Sequence, residues 1–155
     1  MDRLLILSCS QRKAPATGRV PAIDRYDGPV FRVLRNYLRE GSPEALTVLI
    51  VSAKYGLIES NRRIPVYEHR MSAARAKELR PQVLAAAPRL LASRCWQEVG
   101  VCAGKYYRSA LDGFLPLLPH GSQVVFIGGG QGPRLTRLHA WLRRSALVDG
   151  QEGGE

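Results

Sequence analysis

Lysine is scarce in this chain, four residues against nineteen arginines. Cysteine is scarce too. Cys9, Cys95 and Cys102 form an odd set with no Cys-x-x-Cys spacing, which argues against a disulfide framework and for a reduced, cytoplasmic protein. The three histidines, at 69, 120 and 139, complete no zinc pattern, so no metal is expected. Nothing in the chain calls for a cofactor. No apolar run approaches the roughly 20 residues that span a bilayer, so no membrane partner is expected. The apolar stretch near the N-terminus is too short for a signal peptide and runs directly into Gln11-Arg12-Lys13.

What is abundant is positive charge. The 155 residues carry a formal charge of +10, with 45% hydrophobic and 23% charged residues. That size supports one domain with a real core. The charge favours polyanionic partners, nucleic acid or nucleotides, over acidic proteins. The alternative source of the charge is an arginine-heavy proteome. Net charge chooses neither a fold nor a reaction.

Four short apolar runs read as buried strands: about 3–8, 46–52, 98–102 and 123–127. Helical patterns lie between and after them. Pro29 to Glu40 carries Phe31, Leu34 and Leu38 on one stripe. Ser72 is placed to cap a helix running to about Ser93, and Pro81 and Pro88 within it predict two short helices or one kinked helix. Tyr106 to Leu117 and Pro133 to Leu147 complete the set. Residues 11–27 and 53–70 read as long irregular segments, of the kind that are functional or mobile. Strands alternating with helices predict a single α/β domain over residues 1–148, three-layered and Rossmann-like, with right-handed crossovers and a mainly parallel sheet of about four strands. Residues 149–155 are expected to form a disordered tail.

The position of the lysines is the sharpest functional signal. Lys13, Lys54 and Lys105 each follow a strand by a few residues, and a fourth strand runs into Gly128-Gly129-Gly130-Gln131-Gly132. In open α/β sheets, ligands bind outside the carboxyl ends of the strands. Ser8-Cys9-Ser10-Gln11-Arg12-Lys13 offers hydroxyls, a thiol, backbone N–H groups and cations within one turn, a set able to cradle phosphate. Cys9 is a candidate nucleophile if neighbouring cations favour its thiolate. Its plain alternative is a small packed residue at a strand end. Ser52-Ala53-Lys54-Tyr55-Gly56 repeats the logic with a phenol able to stack on a base. Ala53-Lys54-Tyr55 and Gly104-Lys105-Tyr106 form a weak internal echo. The glycine turn, with Gly129 and Gly130 at its centre, suits an anion but matches neither a Walker A loop nor a dinucleotide fingerprint. Arg134, Arg137, Arg143 and Arg144 read as the outer, basic side of the last helix, with sequence-independent phosphate contacts as one use. Tyr26, Asp27, Arg32, Tyr67, Glu68 and His69 lie in or beside the two long segments. If the protein is a hydrolase, its acid or base comes from the carboxylates there, with Asp27 and Glu68 foremost.

Several of these stretches resemble a family of small uncharacterised bacterial and phage proteins. They are Ser-Cys-Ser-Gln-Arg-Lys at 8–13, Asp-Arg-Tyr-Asp-Gly-Pro-Val-Phe-Arg at 24–32, Ser-Ala-Lys-Tyr-Gly-Leu-Ile at 52–58 and Ile-Pro-Val-Tyr at 64–67. The later part is similar to a segment of the YaaA-type peroxide stress proteins, which are associated with DNA binding. The first part is similar to a Pro-Cys-Ser segment of archaeosine synthase, a tRNA base-modifying enzyme. The resemblance picks out Cys9, Lys13, Tyr26, Phe31, Ser52, Lys54, Tyr55, Gly56 and Tyr67, and implies a nucleic-acid or nucleobase context. The chain departs from the pattern where Arg25 replaces the usual leucine and where Val66 separates Pro65 from Tyr67.

The expected ligand is therefore a phosphate-bearing nucleotide or nucleic acid in a pocket at the strand ends. Ser8, Ser10, Lys13, Tyr26, Arg32, Ser52, Lys54, Tyr55, Gly56, Tyr67, Gly104, Lys105, Gly129 and Gly130 are the binding candidates, and Cys9, Asp27 and Glu68 the catalytic ones. Three functions remain open. One is an enzyme, such as a hydrolase or glycosidase, working at a nucleobase or N-glycosidic bond. The others are a non-catalytic DNA-binding stress protein and a nucleotide sensor whose loops close on ligand.

Overall fold

A computed structural model describes residues 2–41, 46–91 and 95–152, excepting the side chains of 144–152. In chain order the elements are β1 (Arg3–Ser8), β2 (Val20–Pro21), α1 (Ala22–Arg25), α2 (Pro29–Arg39), β3 (Leu46–Ser52), β4 (Gly56–Glu59) and β5 (Arg63–Ile64). There follow α3 (Ala73–Leu91), β6 (Glu98–Cys102), α4 (Lys105–Ala110), a 3-10 turn at Leu115–Leu117, β7 (Gln123–Phe126) and α5 (Gln131–Glu152).

Five strands form the main sheet in the order β4-β3-β1-β6-β7. β3, β1, β6 and β7 run parallel, and β4 folds back antiparallel on β3. Helices flank this sheet, an arrangement compatible with a Rossmann-like α/β fold. The continuous apolar strands make sense on it, because successive side chains point to opposite faces. Leu5 and Leu7 join one buried cluster with Phe31, Leu34 and Tyr37 of α2 and Leu138, Trp141 and Leu142 of α5. Leu4 and Ile6 join the other with Leu79 and Val83 of α3 and Ala110 of α4. Among the described residues no helix is long and apolar enough to cross a membrane.

The sheet has five strands where about four are expected. The extra one, β4, comes from a stretch read as irregular. Gly56 adopts φ +75° opposite Ser52, so the chain turns there and brings Leu57 and Ile58 into the core. The same long segments contribute β2 and β5, a two-stranded antiparallel ribbon. α3 runs unbroken through Pro81 and Pro88, so two separate helices do not form. Its buried positions 76, 79, 83, 87 and 90 keep helical spacing against the sheet, and this packing outweighs the roughly 3 kcal/mol penalty of an interior proline. The expected helix 106–117 is cut short after Ala110, with Gly113 at φ +84° and a 3-10 turn in its place. On α2 the third buried position is Tyr37, and Leu38 is exposed. α5 begins at Gln131 and continues past the expected end at Leu147 to Glu152, while 153–155 lie outside the described residues.

One glycine sets how closely α5 lies on the sheet. A Cβ on Gly100 of β6 would sit 2.9 Å from the Trp141 ring and 3.2 Å from Ile127 Cδ1. Gly100→Ala should therefore destabilise the fold by about 1–3 kcal/mol through overpacking. A shift of the urea midpoint at unchanged slope would report this, and an unshifted midpoint would contradict it.

Because β1 lies between β3 and β6, the chain leaves β1 towards one side of the sheet and later adds β6 and β7 on the other. The crevice beyond the carboxyl ends of β1 and β6 is thus a topological switch point, a usual place for a ligand.

Candidate functional site

The two long segments are stitched together where they leave the strands. Lys13 and Tyr26 form an isolated antiparallel bridge. The Ala14 N–H donates to the Arg25 carbonyl at 2.7 Å, and the Asp27 N–H to that of Arg12 at 2.9 Å. Ala22 and Ile23 donate to the carbonyls of Arg62 and Ser60 at 2.7 and 2.9 Å. Arg25, fully buried, donates to the carbonyls of Ala14 (2.6 Å), Ala16 (2.8 Å), Gly18 (2.6 Å) and Ile64 (3.3 Å). The arginine that departs from the family pattern is the clasp of the first loop.

Behind the crevice lies a knot of hydroxyls. Tyr26, Ser52 and Tyr67 are all buried. The Tyr26 hydroxyl donates to Ser52 Oγ at 3.2 Å, Ser52 and Tyr67 share a hydrogen bond of 2.9 Å, and the two phenols bond to each other. Ser52 Oγ also accepts the N–H groups of Lys54 and Tyr55, each at 3.1 Å. The three hydroxyls thus bond chiefly to one another. Tyr67 presents its ring instead. Lys13 Nζ lies 4.5 Å and Lys54 Nζ 5.4 Å from its centroid, and the Tyr55 ring meets it edge-on at 5.4 Å. Lys13 and Lys54 therefore do converge, on the face of one aromatic ring. Burial pulls the Lys13 ammonium below its ordinary pKa, against the opposing pull of Cys9 and Glu68. Burial first, and the nearby Cys9 next, push the phenols of Tyr26, Tyr67 and Tyr107 up.

In front of the knot, two cavities share the end of β1. The first, about 390 Å³, is bounded by Ser8, Cys9, Gly28, Gly130 and Arg134. The second, about 490 Å³, is bounded by Cys9, Arg70, Lys105, Tyr107 and Arg134. Cys9 is half-buried where they meet, and its thiol donates to the Tyr107 hydroxyl at 3.4 Å. Arg134 is the cation common to both. Its Nε is buried without a hydrogen-bond partner, and the guanidinium has no carboxylate at ion-pair distance among the described residues. It does act on Cys102 across the first cavity. Burial raises that thiol and Arg134 lowers it, with a net rise to about 11.

The expected residues divide accordingly. Ser8, Cys9, Gly129 and Gly130 line the first cavity, and Gly104 and Lys105 the second. Lys13 and Glu68 face each other in a third, of about 320 Å³. Ser10 borders the first cavity, but its hydroxyl is engaged by the Arg12 carbonyl at 2.6 Å and the Gly28 N–H at 3.2 Å. Gly28 approaches so closely that a Cβ there would lie 2.9 Å from that of Ser10. Gly56 serves the hairpin. Asp27 and Arg32 are bound to each other, and Asp27 is further held by Arg35 at 2.7 Å and Arg12 at 3.7 Å. Hydrogen bonds from Arg32 and Arg35 pull its carboxyl below the ordinary carboxylate range, which weakens it as a base.

Arg134 and Tyr107 were not among the expected site residues. Arg134 was read as part of an outer basic face. The signal for it was its place, in the first turn of a helix that follows a glycine run, where a cation is unusual. Among the described residues no group of three or more His, Cys, Asp or Glu could hold a metal ion.

A family model described as a family of unknown function (DUF6884) matches residues 4–140. No curated protein matches the sequence. Among solved structures, the chain is similar to AF0587, a protein of unknown function, at 14% identity and a TM-score of 0.49. The match covers 90% of this chain and 44% of that one, so the chain spans less than half its length.

Proposed function

We propose that this chain, which belongs to DUF6884, a family of unknown function, binds a phosphate-bearing nucleotide unit at the carboxyl edge of its sheet. Phosphate sits against Arg134 and the glycine turn, and the nucleoside occupies the adjoining cavity beside Cys9, Lys105 and Tyr107. One observation carries this reading: a guanidinium with a buried, unpartnered Nε stands in the wall shared by two cavities. A buried donor left without a partner is costly, and a guanidinium can direct two N–H groups onto two oxygens of one phosphate. The reading takes the domain as three-layered and Rossmann-like, with the ligand at the switch point, in a cytoplasmic protein. The motif likeness to YaaA-type stress proteins and the charge of +10 point to the same ligand class.

Thermal melts with a nucleotide panel test it. Nucleotides should raise the midpoint in a saturable way. Arg134→Ala should weaken the affinity about ten- to a hundredfold, the range for a lost hydrogen bond to a charged group. No stabilisation by any nucleotide, or equal stabilisation of the variant, would defeat the proposal.

A second reading, chemistry at the base or its N-glycosidic bond, draws on a different observation. Cys9 stands where the cavities meet, and Glu68 is free of the guanidinium cluster that holds Asp27. Chromatographic detection of free base, lost in Cys9→Ala or Glu68→Gln, is its check. No product from nucleotides or oligonucleotides removes this second reading and leaves binding intact.

A further inference from the structure

On the reading that the strand-end site takes a nucleotide unit, we infer that its ligand is a single-stranded polynucleotide, engaged over about three successive nucleotides. The cavities are not separate pits. The first and second share Ser8, Cys9 and Arg134. The second and third share Gln11 and Arg70. They form one file around the end of β1 and the loop that follows it. At about 390, 490 and 320 Å³, each lies within the range of about 300–1,000 Å³ that holds one small organic ligand. A free mononucleotide would leave most of the file empty.

The cations sit at the partitions. Arg134 stands between the first and second cavities, Arg70 between the second and third. A polynucleotide alternates nucleoside and phosphate, and a file of nucleoside-sized hollows divided by guanidinium groups alternates in the same way. Lys105 and Lys13 add one ammonium to each of the last two cavities. Among the described residues, Glu68 is the one carboxylate along the file. Tyr106, 45% exposed beside Lys105, offers a ring of the kind that bases stack on. Concave hollows of this size suit splayed, unpaired bases and not the stacked interior of a duplex.

Fluorescence anisotropy on the full chain tests this with labelled dT3, dT6 and rU6, a GC-rich duplex long enough to stay paired at the assay concentration, and unlabelled mononucleotides as competitors. Affinity should rise at least about tenfold from mononucleotide to trinucleotide and then level off, with the duplex weaker. The salt dependence should steepen with each phosphate engaged, by about 0.7 in logarithmic slope for a single strand. Arg70→Ala, at the exposed partition between the second and third cavities, should lower trinucleotide affinity about tenfold and mononucleotide affinity far less. The dT and rU arms separate DNA from RNA. Mononucleotide binding as tight as trinucleotide binding, with Arg70→Ala silent, overturns the polymer inference and spares the nucleotide site. Absence of binding to every probe overturns both.

Discussion

Arg25→Met is expected to destabilise the protein by about 3–5 kcal/mol, since several hydrogen bonds from a charged group are lost, each worth about 1.5–3 kcal/mol. The guanidinium is fully buried and donates to four carbonyls, three of them on the loop at 14–18. No carboxylate takes part in those four bonds, so the charge is dispersed over peptide dipoles alone. Methionine fills much of the volume and relieves the desolvation of the cation. It removes four charge-assisted hydrogen bonds, of which the one to the Ile64 carbonyl is buried and those to Ala14, Ala16 and Gly18 are part-buried and open to water. The two effects oppose, and the loss of the donor wins because four bonds from one charged group tie the loop to β5. Lysine should not rescue the fold, since one compact ammonium cannot reach acceptors arrayed around a planar fork. Urea denaturation gives the magnitude, and protease cleavage within 14–18 should accelerate in the variant. A change below about 1 kcal/mol would refute this account of the loop.

Stability is also expected to fall steeply above pH 9. The Cys102 thiol is pushed from 9.0 to about 11 by burial, and burial raises the phenols of Tyr26, Tyr67 and Tyr107 as well. Folded, these acids keep their protons to higher pH than they do in the unfolded chain. The unfolded state therefore binds fewer protons in alkali, and unfolding is favoured as pH rises. For Cys102 alone the contribution is complete below pH 9, declines from there and is gone above about pH 11, a total of about 3 kcal/mol. The phenols extend the loss to higher pH. Lys13, whose pKa is lowered, acts with the opposite sign and offsets part of it. Denaturant midpoints measured from pH 8 to 11 should fall, and Cys102→Val should flatten the first part of that fall. Phenolate absorbance from the three tyrosines should appear together with loss of structure. Ionisation well ahead of unfolding would show that the hydroxyl knot is open to solvent.

The parallel strands were legible because their apolar runs are buried on both faces, leaving little else for Leu4 to Leu7 or Val48 to Val51 to be. Their carboxyl ends could be named in advance for the same reason, and with them Cys9, Lys13, Lys54 and Lys105. β4 was hidden because Gly56 looks the same in sequence whether it breaks a segment or turns it. The prolines of α3 misdirected in the opposite sense, since local preference there yields to an apolar face packed on the sheet. Asp27 shows a different limit. A carboxylate near a pocket reads as a base until the arginines around it are placed, and Arg35 reaches it from two turns along α2. Arg134 was misread because amphipathic spacing describes the middle of a helix better than its first turn, where the neighbours belong to other elements.

The stitching of residues 11–27 to 53–70 bears on how a guest would arrive. A loop pinned by Arg25, by the bridge at Lys13 and Tyr26 and by the hydrogen bonds to Ser60 and Arg62 has little freedom left to surrender on association. The receptor is preorganised, so the entropic toll of occupancy falls mainly on the incoming molecule. Encounter is then governed by diffusion in the field of a strongly cationic body, fast in dilute buffer and slowed by added electrolyte.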